Sequence, residues 1–347
     1  NADANGGVTF SIAFTDVGGT AGNADSTVDD GSSVTIDNTH PTASAVTIAV
    51  SGSGNANNGD TVTLTIDPSE AIGAPTCTWT TSGAGALADT SVAYATVADT
   101  DHHTAAVTIA DGDADGTVGF SCTFSDLAGN AVTTAVTAIT GGSAITIDNT
   151  HPSITGVSAA WGTHLSATED NADKTITITT SGAEDGQTVT TTINSVTDTC
   201  SVSSNTCAIT YAASDMASLS SGTSYTIAVD VSDAATNAAT QNTGTSFIYD
   251  PTLPTISSIA VTGVTSGQYG NSAGTYSVVV TASETLAAAP TLTLSGGAVG
   301  DGSGSTSDTV WTYTFTPTDA DESVTIDVAA GAITDSAGNV NTATPTQ

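Results

Sequence analysis

One short phrase recurs three times and constrains the fold more than any other feature of the chain. It reads Ile36-Asp37-Asn38-Thr39-His40-Pro41, then repeats over 147–152 with the same six residue types, and returns as Ile248-Tyr249-Asp250-Pro251. The aspartates at 37, 148 and 250 are 111 and 102 residues apart, an interval typical of a string of similar modules. Because proline donates no ladder hydrogen bond and favours extended structure before it, each phrase is predicted to end a strand and to join two domains.

These joints divide the 347 residues into four predicted parts. The first is predicted to hold only the closing strands of a repeat, because Gly7–Asp16 parallels Gly116–Asp126. The last is predicted to stop before its own closing strand. The predicted parts are a partial repeat over 1–37 and domains over 38–150, 151–250 and 251–347.

Apolar residues alternate with threonine at period two in many short runs, such as Val62-Thr63-Leu64-Thr65-Ile66 and Trp311-Thr312-Tyr313-Thr314-Phe315. This alternation is typical of half-buried strands, and Gly, Asn and Asp clusters break the runs at short spacing. Several short strands per repeat predict an all-β chain built of β-sandwiches.

The charge is almost entirely negative. The chain has 35 acidic residues against one basic residue, Lys174, and its net charge is −34. Without a basic surface it cannot neutralise phosphates, so binding to nucleic acid or to an anionic membrane is excluded. No apolar run approaches the ~18 residues of a membrane helix, so membrane insertion is not expected. Cations must screen the acidic groups, which suggests a saline or calcium-rich exterior.

The four cysteines fall as two pairs, one in each of two repeats. Four cysteines allow three connectivities, and only one of these needs no contact between domains. We therefore expect disulfides Cys77–Cys122, between strands of one domain, and Cys200–Cys207, closing a short hairpin. Disulfides indicate an oxidising compartment, and an extracellular location follows.

Several stretches of the chain share the motifs of one known type of repeat. They are Val310–Pro317, Val324–Gly331, Asp335–Asn339, Val8–Asp16, Asp126–Asn130 and the Asp-Asn-Thr-x-Pro joint. These stretches resemble the bacterial Ig-like repeats of very large extracellular surface proteins. The resemblance covers nearly the whole chain and implies tandem Ig-like sandwiches arranged as a stiff rod at the cell surface. Its motifs do not identify a biological role, because such modules occur in adhesins, biofilm proteins, surface layers and enzyme appendages.

A loop of Asp-x-Ala-Gly-Asn type recurs in each repeat and offers oxygen ligands. Calcium takes 6 to 8 oxygens from carboxylates, amide carbonyls and backbone, all of which such a loop supplies. The resemblance implies that calcium lies where these loops meet the linker aspartates. The alternative is that Asp and Asn only build turns in which Gly takes positive φ. The predicted ligands are Asp16 with Asn23, Asp126 with Asn130, Asp233 with Asn237, Asp335 with Asn339, and the linker residues Asp37, Asp148 and Asp250.

Other candidate sites are weaker. Asp111–Gly116 matches the first half of a calcium loop, but Cys122 stands where that loop needs glutamate, which favours a hairpin turn. No repeat has zinc-like spacing, and with no arginine and one lysine little except backbone amides could stabilise a developing oxyanion, so no enzyme activity is expected. Trp79 and Trp311 are predicted to be core residues, whereas Trp161 could be exposed for stacking on carbohydrate.

The sequence therefore predicts a rigid spacer or stalk in a cell-surface adhesin or filament. Its partners would be neighbouring domains or other subunits, with surface glycans a further possibility. One alternative is a filament or surface-layer subunit that polymerises by strand complementation between the N-terminal segment and the C-terminal domain. The other is an array of carbohydrate-binding modules.

Overall fold

The chain is all-β and folds into Ig-like β-sandwiches. The computed structural model describes residues 4–52, 54–83, 85–89, 92–96, 102–263, 276–294, 297–299, 309–317 and 325–342. Two compact units are formed, the first from Asn1–His151 with Asp233–Asn237, the second from Pro152–Ser232 with Ala238–Gln347. No helix within the described ranges has the length and apolarity needed to cross a membrane.

The first unit contains a short N-terminal ladder and one sandwich. The ladder pairs β1 (Gly6–Gly7) with β2 (Thr35–Ile36). One sheet of the sandwich runs in the order β3 (Ala43–Val50), β4 (Thr61–Pro68), β8 (His103–Thr108) and β7 (Ala93–Thr96). The other runs β10 (Thr146–Ile147), β9 (Gly116–Thr123), β5 (Thr76–Thr81) and β6 (Gly85–Ala86).

The core of this sandwich follows the predicted alternation. Val62, Leu64 and Ile66 of β4 have no exposed surface, while the threonines between them lie on the other face. Successive side chains of a strand point to opposite faces, so the two-residue period places one apolar row inside. The second sheet contributes Trp79 and Phe120 to the same core.

The second unit contains two hydrophobic cores. The first core lies between two sheets. One sheet runs in the order β11 (Ser153–Ala159), β13 (Lys174–Ser181) and β16 (Thr206–Tyr211). The other runs in the order β12 (His164–Ser166), β18 (Asn242–Asp250), β17 (Thr223–Val231), β14 (Thr188–Ile193) and β15 (Val196–Ser201). A single helical turn, α1 (Ala213–Met216), follows β16 and buries Met216.

The other core of this unit belongs to the last part of the chain. One sheet runs β19 (Ile256–Thr262), β20 (Tyr276–Ala282), β23 (Val310–Pro317) and β22 (Gly297–Val299). β21 (Leu292–Leu294) pairs with β24 (Ile326–Val328). Trp311, Tyr313 and Phe315 of β23 are buried, as their alternation predicts. The four-part division of the chain stays a prediction.

Both predicted disulfides are present, and they differ in how the strands they join are paired. Cys77 and Cys122 are direct partners in the β5–β9 ladder. Cys200 and Cys207 are bonded across a tight turn, but β15 pairs with β14 and β16 pairs with β13. Ser203 and Thr206 pair antiparallel across this turn, so the second bond closes a short hairpin, as predicted. The two strands of that hairpin are edge strands of different sheets.

All three tryptophans are buried. Trp161 is only 7% exposed and packs edge-on against Phe247 with ring centroids 5.2 Å apart. The suggestion that Trp161 is available for stacking on carbohydrate is therefore wrong. The glycine that follows it, Gly162, turns the chain with φ at 75° and directs the indole into the core.

The N-terminal segment has the strand pattern of a repeat without a core beneath it. Val8, Phe10, Ile12 and Phe14 are 52%, 38%, 58% and 59% exposed. The corresponding residues of the first sandwich, in the stretch 118–124, are all buried. The same apolar alternation is thus covered in one copy of the repeat and uncovered in the other.

Candidate metal centre

A five-residue loop with aspartate first and asparagine last is built alike in three places. In Asp335–Asn339, the Asn339 backbone N–H donates to Asp335 Oδ1 at 2.9 Å, and its Nδ2 donates to Asp335 Oδ2 at 2.9 Å. The Asp335 N–H in turn donates to the Asn339 carbonyl oxygen at 3.1 Å. Gly338 completes the turn with φ at 90°, a conformation that costs glycine little. The aspartate carboxylate thus closes its own loop by accepting two hydrogen bonds from the asparagine.

The loops Asp126–Asn130 and Asp233–Asn237 repeat this arrangement. The Asn130 and Asn237 amides donate to Oδ1 of their aspartates at 2.8 Å in both cases. Their side-chain Nδ2 atoms donate to the second carboxylate oxygen at 2.7 and 3.0 Å. The shared Asp-to-Asn spacing of four residues therefore encodes one local structure.

Each of these asparagines also holds a linker aspartate. Asn130 Nδ2 donates to the carbonyl oxygen of Asp37 at 2.9 Å, and Asn237 and Asn339 donate to those of Asp148 and Asp250 at 2.8 Å. The structure thus places every linker aspartate beside the loop paired with it in the sequence. In this geometry the asparagines donate through nitrogen; their role as calcium ligands stays a prediction.

The leading segment departs from the predicted pairing. Asp16 forms the equivalent loop with Thr20, whose N–H donates to Asp16 Oδ1 at 2.8 Å. Gly19 has φ at 83°, matching the glycine of the other loops. Asn23 lies beyond the loop and is exposed. Thr20, not Asn23, therefore stands where the other repeats have asparagine.

Two glutamates that were not predicted complete clusters of three carboxylates. Glu70 joins Asp37 and Asp126, and Glu284 joins Asp250 and Asp335, with one oxygen of each residue within 4.8 Å of the others. The sequence marks these two glutamates by their position relative to a strand end. Only five glutamates occur in the chain, and these two each follow a serine, Ser69 and Ser283, at the end of an equivalent strand.

The local hydrogen bonds explain why both glutamates arrive at the same place. The Ser69 N–H donates to the Thr42 carbonyl oxygen at 2.8 Å, and the Thr42 N–H donates to Ser69 Oγ at 3.0 Å. Ser283 and Thr255 make the same pair at 2.8 and 3.0 Å. This exchange fixes the strand end, so the next side chain is directed toward the linker.

The clusters are electrostatically costly without a counter-charge. Burial, together with the charges of Asp250 and Asp335, raises the pKa of Glu284 to about 7. Burial and the charges of Asp37 and Asp126 also raise the pKa of Glu70. Burial alone would raise the pKa of Asp126, but hydrogen bonds from its loop outweigh burial and lower it. One glutamate in each cluster is therefore the group that resists ionisation.

The residues of the Glu284 cluster fit a divalent cation bound by oxygen. Glu284 Oε1 is buried and has no hydrogen-bond partner. An unpaired buried carboxylate oxygen is costly, and a bound cation would satisfy it. Carboxylate oxygens are the ligands that calcium prefers, and no nitrogen or sulfur ligand belongs to either cluster.

The Asp111–Gly116 loop has a different use. Asp113 is buried and accepts from the Ala88 and Ala110 N–H groups at 2.6 and 2.8 Å. Asp115 accepts from the Asn149 N–H at 2.7 Å and from the Thr150 hydroxyl at 2.5 Å. The loop is a turn, as expected, but it connects β8 and β9 of different sheets and is not a hairpin. The Asp115 carboxylate holds the linker, and the Asp113 carboxylate holds the loop itself.

Comparisons with known proteins return fold likenesses at low identity. No family model matches the chain, and no curated protein matches it. Among solved structures, a Ca2+-stabilized adhesin that helps an Antarctic bacterium reach out and bind ice is 24% identical, with 99% of this chain and 81% of that chain covered and a TM-score of 0.43. A 1.5-MDa bacterial ice-binding adhesin is 22% identical over 88% of this chain and 97% of that chain, with a TM-score of 0.38. A marsupial T cell receptor is 11% identical over 87% and 99%, with a TM-score of 0.33.

Proposed function

We propose that the chain is a non-catalytic, extracellular structural protein, a spacer of Ig-like sandwiches in a cell-surface adhesin, with calcium bound at two of its joints. The observation that carries the proposal is the pair of carboxylate clusters, each combining a linker aspartate with a loop aspartate and a glutamate. Two disulfides support an oxidising, extracellular setting.

Calcium would act here by cross-linking the linker to the following loop. Asp250 belongs to the linker, whereas Asp335 and Glu284 belong to the sandwich that follows it. A cation shared by all three would offset their mutual repulsion and oppose bending of the linker. The Asn339 bond to the Asp250 carbonyl already sets the spacing at which the carboxylates meet.

We expect two calcium ions to bind per chain once divalent cations have been removed. With three carboxylates at each site, the dissociation constants should lie in the range of extracellular modules, about 10⁻⁴ to 10⁻³ M. Isothermal titration calorimetry should count two sites in the unmodified protein and one in either Glu70→Gln or Glu284→Gln. Glu184→Gln, which changes an exposed glutamate outside both clusters, is the matched control and should keep both. A site count that the two cluster variants leave unchanged would contradict the assignment.

Self-assembly is the second candidate function, and the uncovered apolar row of the N-terminal segment favours it. In the first sandwich the corresponding row is buried against a core. The segment of one copy would add to the last domain, 251–347, of another copy, giving an open, head-to-tail fibre. The array of carbohydrate-binding modules has less support, because no tryptophan is exposed.

If the segment mediates assembly, the mass of the unmodified protein in sedimentation should rise with concentration, and negative-stain microscopy should reveal fibres. Changing Phe10 and Phe14 together to serine should leave a monomer, because the apolar row loses its two largest side chains. Val17→Ser is the matched control, since Val17 is fully exposed outside that row and should not affect assembly. An unmodified protein that stays monomeric at all concentrations would exclude this function.

A further inference from the structure

The middle joint differs from the other two in its charged groups. Asp148 and Asp233 occupy the linker and loop positions, and within the described residues no third acidic side chain completes a cluster with them. The serine at the equivalent strand end, Ser181, is followed by Gly182 where the other repeats have glutamate. The middle loop therefore lacks the group that distinguishes the two carboxylate clusters.

An asparagine side chain contacts the loop of this joint. Asn57 Nδ2 lies 2.6 Å from the carbonyl oxygen of Ala235, 3.1 Å from Thr236 Oγ1 and 3.4 Å from Asn237 Oδ1. All three acceptors belong to the loop Asp233–Asn237, which is part of the first compact unit together with Asn57. The two hydrogens of one uncharged amide are thus shared among acceptors on three successive residues of the loop.

The middle loop also needs more support than the others. Thr236 has φ at 73°, whereas the same position is Gly129 at 96° and Gly338 at 90°. A β-branched residue in the left-handed region is strained and persists only when its surroundings hold it. The Asn57 bonds to Ala235 and Thr236 act directly on this strained segment.

The equivalent turn of the last joint, 166–169, contains no asparagine. Asn57 begins a turn in which its N–H donates to Asp60 Oδ2 at 3.1 Å, and Ser166 begins the same turn with its N–H donating to Glu169 Oε2 at 3.0 Å. The Ser166 hydroxyl donates to Glu169 at 2.9 Å, back into its own turn. The backbone Ala167 N–H contacts the loop, donating to Asn339 Oδ1 at 2.7 Å.

We infer that Asn57 is a positioning residue that fixes the loop Asp233–Asn237 on the first unit without a cation, so that the joints divide into two cation-dependent ones and one that is held by an amide. The cation-dependent half of this statement rests on the proposed function; the role of Asn57 does not. A chain built in this way would keep its middle joint ordered when calcium is withdrawn, while its other two joints loosen.

Hydrogen exchange of three backbone amides in the full chain tests the inference. Asn130, Asn237 and Asn339 each donate their N–H to the aspartate of their own loop, so their exchange rates report how often each loop opens. Asn57→Ala should speed exchange at Asn237 about tenfold, with or without calcium, and leave the other two amides unchanged. Chelation should speed exchange at Asn130 and Asn339 but not at Asn237.

Two further variants separate hydrogen bonding from packing. Asn57→Asp keeps the size of the side chain but removes its donors, so it should speed exchange at Asn237 as Asn57→Ala does. Asn58→Ala changes the exposed neighbouring asparagine and should affect none of the three amides. In the samples that contain calcium, the amides at 130 and 339 serve as the control for correct folding.

The inference is overturned if Asn237 stays protected in both Asn57 variants, or if chelation alone exposes Asn237. Chelation that changes none of the three amides would instead defeat the proposed calcium sites, while faster exchange at Asn237 in the variants would still support the role of Asn57. The two failures are therefore distinguishable within one set of measurements.

Discussion

In the absence of divalent cations at pH 8, Glu284→Gln is expected to raise the melting temperature of the second unit. The change removes one of three carboxylates that lie within 4.8 Å of one another, and neutral glutamine costs less to bury than an ionised carboxylate. After allowance for screening by solvent, the gain in the free energy of unfolding should be about 2 kcal/mol. Differential scanning calorimetry in chelator should detect a shift of several degrees.

The pH dependence of the unmodified protein follows from the same cluster. The pKa of Glu284 rises from its ordinary value of 4.5 to about 7 in the folded chain. Between these values the folded state holds a proton that the unfolded state has released, so the folded state binds more protons. In chelator, stability should therefore fall as the pH rises from about 4.5 to about 7, and Glu284→Gln should flatten this part of the curve.

Calcium should reverse the order of the melting temperatures of the unmodified protein and Glu284→Gln. Binding to the folded state alone adds about 2.7 kcal/mol at a hundredfold excess over Kd, and the variant with only two carboxylates should gain far less. Unmodified protein should then melt above Glu284→Gln, while Glu184→Gln should follow the unmodified protein in both conditions. If Glu284→Gln is the less stable protein in chelator as well, the cluster is not repulsive and the argument fails.

The fold could be predicted from the sequence because strand alternation and internal repetition act at short range. The row Val62, Leu64 and Ile66 is buried as its period requires. Each linker aspartate contacts a loop that recurs, as the linker phrase does, once in each repeat. The fate of Trp161 could not be predicted in this way. Its burial depends on Phe247, which lies 86 residues further along the chain and only 5.2 Å away in ring-centroid distance.

The predicted ligands in the loops and linkers do not include the two glutamates that the structure places beside them. The Asp and Asn residues of the loops are predicted ligands because their spacing is regular, yet the asparagines donate hydrogen bonds through nitrogen. Glu70 and Glu284 were missed because a single acidic residue after a strand carries no periodic signal. They could have been found by aligning the repeats on the serine that precedes each of them.

The contacts of Asn57 could not be predicted from the sequence for a different reason. Its partners lie 178 to 180 residues further along the chain, and an asparagine in a Gly- and Asn-rich turn is ordinarily a turn former. Only the fold places its amide beside the loop Asp233–Asn237. Contacts of this kind depend on how sandwiches are connected, which local pattern does not record.

Removal of the two disulfides should affect stability by different amounts. The residues of the first bond are 45 positions apart and those of the second are 7 apart. Because cross-linking removes loop-closure entropy from the unfolded chain, Cys77→Ala with Cys122→Ala should cost about 4 kcal/mol, and Cys200→Ala with Cys207→Ala about 2.5 kcal/mol. Equilibrium unfolding in denaturant, with both double variants compared to the oxidised protein, measures each cost.

The native structure provides a competing expectation, which makes this comparison informative. Cys77 and Cys122 lie opposite each other in strands that already share a ladder, so the β5–β9 pairing persists when the bond is lost. Cys200 and Cys207 connect edge strands of different sheets that share no ladder, so their bond holds the sandwich closed at that edge. If the short-range bond proves the more costly to remove, cross-linking of the native sheets outweighs the entropy of the unfolded chain. If the two stability costs instead follow loop length, the entropy of the unfolded chain determines them. The closed edge of the middle sandwich is then maintained by its core.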